Sequence, residues 1–166
     1  MFKHLEKSIA GVIGISILTT VSTMMLTMKS TTAQPANFRS LTLNSDTTSG
    51  MMMGSTGGST SLPAIVKNRD RSDRPCLGFG DPNPNHVLVL QQPVAKLRIR
   101  VDSGGADTTL AIAGPNGVIR CGDDSSSGNK DASIEDTDWS PGTYQIWVGT
   151  VQPNTSRDYR LIVRGN

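Results

Sequence analysis

The chain is short of the residues from which most catalytic, metal and nucleic-acid sites are built. It has two histidines and two cysteines in 166 residues, and aromatic side chains make up 4%. Cys76 and Cys121 lie far apart with a single downstream histidine, His86, to help them, so neither a zinc site nor a redox pair fits. A formal net charge of +2 is too small to argue for nucleic acid. After Cys76 no segment keeps a helical period, and no repeat appears at solenoid or propeller spacing. Phenylalanine is scarce, which makes a disulfide or a bound metal valuable to a modest core.

What the chain does have begins with an export signal. A basic start, "MFKHLEK", precedes an uncharged run from Ile9 to Met28. Thr31 and Ala33 satisfy the small-x-small rule for cleavage before Gln34. The run is also long enough to span a bilayer if it is not cleaved, the one route by which this chain would meet a membrane. No lipobox cysteine lies near it. Residues 34–75, rich in Ser, Thr, Gly and Met, read as a low-complexity linker that closes on the mixed-charge "KNRDRSDR". The domain proper is then 76–166. In an exported chain an isolated cysteine pair most often forms a bridge, so Cys76 and Cys121 are expected to be bonded.

From Cys76 onward the period is 2. "HVLVL" is a first strand. "KLRIRVD" sets Leu97, Ile99 and Val101 against Lys96, Arg98 and Arg100, a half-buried strand with a basic outer face. "TTLAIAG" and "VIRC" flank the turn "GPNG" and form a hairpin. "ASIE" is a shorter strand. Near the end, Tyr144, Ile146 and Val148 oppose Gln145 and Trp147, and Tyr159, Leu161 and Val163 oppose Arg160, Ile162 and Arg164. About seven or eight short strands separated by turns indicate an all-β, antiparallel sandwich of jelly-roll or Greek-key type.

The most chemically loaded stretch is "RCGDDSSSGNKD", from Arg120, and it has three readings. As a protease loop it loosely echoes "GDSGG", but a second aspartate stands where the nucleophile would be. His86 is the only base, and the domain is too small for a double barrel. As a calcium loop it offers Asp123, Asp124, Asn129 and Asp131, with Asp107 near across the sheet, and calcium takes six to eight oxygens. It is not an EF-hand: counted from Asp123, position 12 is Ile134 and the acid Glu135 comes one residue late. As a plain turn its polar residues satisfy their own backbone, with Lys130 and Arg120 neutralising the acids. Calcium and turn both stay open.

Asp136 and Asp138 precede another turn, with Trp139 as a cover over the sandwich end and further calcium ligation as the alternative. By alternation Trp147 leaves the core face. If its strand pairs with the last one, Trp147 stands beside Ile162 between Arg160 and Arg164, a ligand surface for an anionic polysaccharide or a carboxylate-bearing protein. The alternative is that it covers the cysteine bridge or the sandwich edge.

"GGADTTLAIAGPNG", "CGDD", "SPGTYQIWVGT" and the closing "YRLIV" together resemble the bacterial pre-peptidase C-terminal domain family, in its stand-alone secreted cyanobacterial form. The likeness covers most of Cys76 to Val163. It implies a noncatalytic β-sandwich usually appended to secreted exoenzymes, with relatives in collagenases that bind calcium and, in some cases, their polymeric substrate. The expectation is therefore an exported module, periplasmic, envelope-bound or extracellular, that is not an enzyme. It would bind an extracellular polysaccharide or protein, with Ca2+ as a candidate cofactor. The other reading is a structural or inhibitory partner of a separately encoded secreted hydrolase.

Overall fold

The computed structural model describes residues 37–166; the export signal expected over 1–33 lies outside them. Among the described residues no helix is long and apolar enough to cross a membrane. Two sheets face each other. The first joins β1 (Ser40–Leu43), β5 (His86–Leu90), β11 (Gly142–Thr150), β7 (Thr108–Ala113) and β8 (Ile119–Gly122) in that spatial order. The short β3 (Thr60–Ser61) and β4 (Phe79–Gly80) continue it on the β5 side of β11. The second runs β2 (Ser49–Ser55), β12 (Asp158–Gly165), β6 (Val94–Asp102), β10 (Asn129–Trp139) and β9 (Asp124–Ser126). All ladders are antiparallel except β1 with β5. The all-β sandwich read from the sequence is what the chain forms, with twelve strands among the described residues rather than seven or eight.

Period 2 explains the main layer. Leu97, Ile99 and Val101 on β6, Tyr144, Ile146 and Val148 on β11, and Tyr159, Leu161 and Val163 on β12 all point between the sheets, each 3% exposed or less. Burying each aliphatic side chain contributes on the order of 2 kcal/mol. The expected hairpin is β7 with β8; its turn closes through Asn116 (φ 57°) and Gly117 (φ 71°), left-handed positions that Asn and Gly tolerate best. The chain crosses between sheets from β2 to β3, from β5 to β6, from β6 to β7, from β10 to β11 and from β11 to β12, as a jelly-roll or Greek key does. It also steps between sheets at both edges: from β1 to β2 around Asn44, whose Oδ1 accepts from the Asp46 and Thr47 amides, and from β8 to β9 through Asp123.

Two expectations are corrected. Residues 37–75 are not a linker. They supply β1, β2 and β3, and Leu43 and Met52 enter the main core. After β3 comes a one-turn helix, α1 (Leu62–Ile65), with Pro63 in its first turn. Residues 62–78 then lie as a roof over the outer face of the first sheet where β7, β8 and β11 run. Leu62, Val66 and Cys76 from the roof pack on Ala111, Ile119, Cys121 and Trp147 from the sheet, a second apolar cluster behind the first. The approach is close: a Cβ at Gly149 would lie 2.8 Å from Leu62 Cδ1. Nor do β11 and β12 pair; they sit in opposite sheets. Their short connection crosses the sandwich instead of making a hairpin.

Candidate functional site

The acidic loop gathers part of the expected ligand set. Asp123 sits where the chain leaves β8 for the other sheet, Asp124 opens β9, and Asp107 immediately precedes β7. Each offers a carboxylate oxygen, and the three lie within 4.8 Å of one another. Asp123 Oδ1 is buried with no hydrogen-bond partner. Burial, then the charges of Asp124 and Asp107, push the Asp123 carboxyl above the ordinary aspartate range. Lys130 Nζ, 2.7 Å from Asp107 Oδ2, supplies the neighbouring positive charge.

Asn129 and Asp131 do other work. Buried Asp131 accepts hydrogen bonds from the Ser103 amide (3.0 Å) and the Ser103 hydroxyl. That hydroxyl accepts in turn from the Ala106 amide. Asp131 thereby holds the loop that presents Asp107. Asn129 Oδ1 accepts from the Asp131 amide at 3.0 Å. Three of the five expected ligands converge, and the other two have hydrogen-bonding roles in the surrounding loops.

The second acidic group is taken by arginines. Arg120, 2% exposed, donates from Nε to Asp136 Oδ2 (2.8 Å) and from Nη2 to the Thr137 and Asp138 carbonyls, with its guanidinium 3.9 Å from the Trp139 ring centroid. Arg71, in the former linker, reaches Asp136 and Asp138 at 3.3 and 3.5 Å. Extra calcium ligation there is replaced by a charge network, and Trp139 is a core residue of the main cluster.

Cys76 and Cys121 form a disulfide, with Cα atoms 5.2 Å apart. Beside it, Asp70 accepts from the Cys121 amide and pairs with Arg74 (2.9 Å), fixing the roof to β8. His86 is fully buried: its Nδ1–H donates to the Arg39 carbonyl (3.0 Å), and Nε2 accepts from the Tyr159 hydroxyl (2.9 Å). A ring engaged at both nitrogens offers no base to Ser125, Ser126 or Ser127.

The expected ligand surface is rearranged. Trp147 does leave the main core face, as alternation required, but the roof covers it. It is 2% exposed, and its indole N–H donates to the Pro82 carbonyl. Arg160 and Arg164 stand on the outer face of the second sheet, so Trp147 cannot join them. What joins them is β6. Across the strands, Met51, Ile162, Arg100 and Ser133 form one row, and Ser49, Arg164, Arg98 and Glu135 the next. Arg160 lies between Met53 and Asp102. The alternating arginines of "KLRIRVD" were visible in the sequence, but not which strand they lie beside. No protein-family model and no curated protein matches the chain.

Proposed function

We propose that this chain is an exported binding module that acts through the uncovered outer face of its second sheet. The carrying observation is the asymmetry of the two sheets: the roof covers the β7, β8 and β11 part of one outer face, while the other outer face remains open with a field of basic side chains. The motifs resembling the pre-peptidase C-terminal family support the same class of role, a noncatalytic sandwich that holds a secreted polymer or protein. The disulfide suits an oxidising compartment. Fractionation of cells expressing the full chain, followed by retention on insoluble extracellular polymer, tests the reading. Export, cleavage before Gln34 and retention are the expected results; a chain that remains in the cytoplasm ends it.

A calcium-stabilised form is a second component, favoured by the buried, unpartnered Asp123 Oδ1 beside two more carboxylates. Hard oxygen donors fit calcium. Asp107, Asp123 and Asp124 would hold the ion, which would clamp the point where the chain changes sheet. Millimolar calcium should raise the melting temperature of the full chain by mass action, and identical melting with calcium and with chelator would remove this component.

A further inference from the structure

We infer that the open sheet face is a binding site for a uronate-bearing, anionic polysaccharide, centred on Arg98, Arg100 and Arg164. This deepens the binding-module reading and rests on it. Alternation puts Lys96, Arg98 and Arg100 of β6 and Arg160 and Arg164 of β12 on one face, broken by Ile162 and by Asp102 and Asp158 at the strand ends. Arg98 and Arg164 are directly opposite one another across the ladder. Like charges so placed are unfavourable in the protein alone. The nearby acids relieve them only in part: Glu135 is shared between Lys96 and Arg98, Asp102 is held by Arg160 at 2.6 Å, and Asp158 lies beyond Arg160 at the strand end. Among the described residues no carboxylate is in ion-pair contact with Arg100 or Arg164.

The shape of the face points to a polymer with repeated acid groups. Arg98, Arg100, Ile162 and Arg164 line a hollow of about 100 Å³. The next hollow, of about 280 Å³, is lined by Lys96, Arg98, Glu135, Arg164 and Asn166. Arg98 and Arg164 belong to both, so two anion-sized recesses follow one another along the strands. A guanidinium can take a carboxylate through two parallel hydrogen bonds, which makes arginine the better choice for such a group. Ile162 floors the first hollow, and exposed Met51 and Met53 flank it, an apolar margin suited to the C–H faces of sugar rings. Among the described residues the face has no aromatic side chain on which bases could stack, as single-stranded nucleic acid would use. A concave site receives a protruding acid group better than it meets the surface of a bilayer.

The test is titration of the protein produced from the full chain with polygalacturonate, dextran, collagen, poly(dT) and phosphatidylglycerol vesicles. Polygalacturonate should bind, dextran should not, and added salt should weaken the complex. Arg100→Ala with Arg164→Ala should weaken it about tenfold or more at unchanged melting temperature, and the corresponding lysine pair should recover part of the loss. Unchanged affinity in the alanine pair overturns the inference, as does binding of poly(dT) or vesicles without polygalacturonate. If dextran or collagen is retained while polygalacturonate is not, this inference falls and the binding-module reading stands. A panel with no binding at all removes both.

Discussion

His86 on β5 and Tyr159 on β12 meet at 2.9 Å across the sandwich, a hydrogen bond that ties one sheet to the other through two buried side chains. The same imidazole holds the Arg39 carbonyl just before β1, so the entering strand and the last strand are both fastened through it. Burial pulls the His86 pKa below the ordinary 6.5, outweighing the bond to Arg39, which acts in the other direction. The native ring is therefore neutral.

A pH dependence follows from that neutrality. The unfolded chain takes up this proton at higher pH than the native protein, so the contribution of neutral His86 is intact above about 6.5 and fades as pH falls through that value toward the lower native pKa. The urea midpoint should be flat from pH 8 to 7 and decline toward pH 5. His86→Gln should be less stable by about 1–3 kcal/mol, the range for a disturbed buried hydrogen bond, and should lose most of the decline. A wild-type midpoint that does not fall over this window counts against a neutral, buried imidazole.

Trp147 belongs to the seam between roof and sheet, not to a ligand surface. Trp147→Ala should destabilise the protein by about 3–5 kcal/mol, as large core truncations do, with polysaccharide binding affected only through folding. A denaturation midpoint close to wild type would mean that the roof does not seat on the indole.

Reduction of the disulfide should loosen that same seam. Closing a loop between cysteines 45 apart in sequence contributes about 4 kcal/mol in the chain-entropy account. Dithiothreitol should therefore lower the melting temperature markedly. Below the transition it should shift tryptophan emission to the red, a shift absent from Trp147→Phe. Unaltered emission in reduced wild-type protein would show that the roof holds without its bridge.

Asp123 titrates in the opposite sense to His86. Its carboxyl is raised by burial and by Asp124 and Asp107, so in chelator its charge is a burden at neutral pH that eases as the pH falls toward its native pKa. Asp123→Asn should then be slightly more stable than wild type in chelator, by about 0.5 kcal/mol, the scale of a partly exposed charge effect. It should also lose any response to calcium. A variant that still gains stability from calcium would place the ion elsewhere.

Sequence pattern revealed most of the sandwich because β5, β6, β11 and β12 carry alternation and the β7–β8 hairpin is marked by its turn. It could not reveal β1 and β2. In "SLTL" and "SGMMMGS" only Leu43 and Met52 are buried, too thin an apolar signal to stand out from a Ser, Thr and Gly background. Those strands are held by ladders to β5 and β12 instead, and such pairing leaves no local trace. The face of Trp147 was legible, but its covering depended on residues 62–78, whose contacts with Ala111, Ile119, Cys121 and Trp147 are remote in sequence. The acidic loop was legible as a cluster. That Ser103 would hold Asp131, and that Arg120 would turn to Asp136 and not to the loop's own acids, was not, because it depends on which loops meet.

β12 lies between β2 and β6, so a strand from near the start of the described chain is held in its sheet only by the last strand. During synthesis β2 has no partner until residues 158–165 have emerged, and β6 lacks one of its two neighbours. Contacts between such distant segments carry a high loop-closure entropy and form late. The sandwich therefore cannot close progressively behind a growing or threading chain. Its second sheet is completed only when the C-terminal strand arrives between β2 and β6.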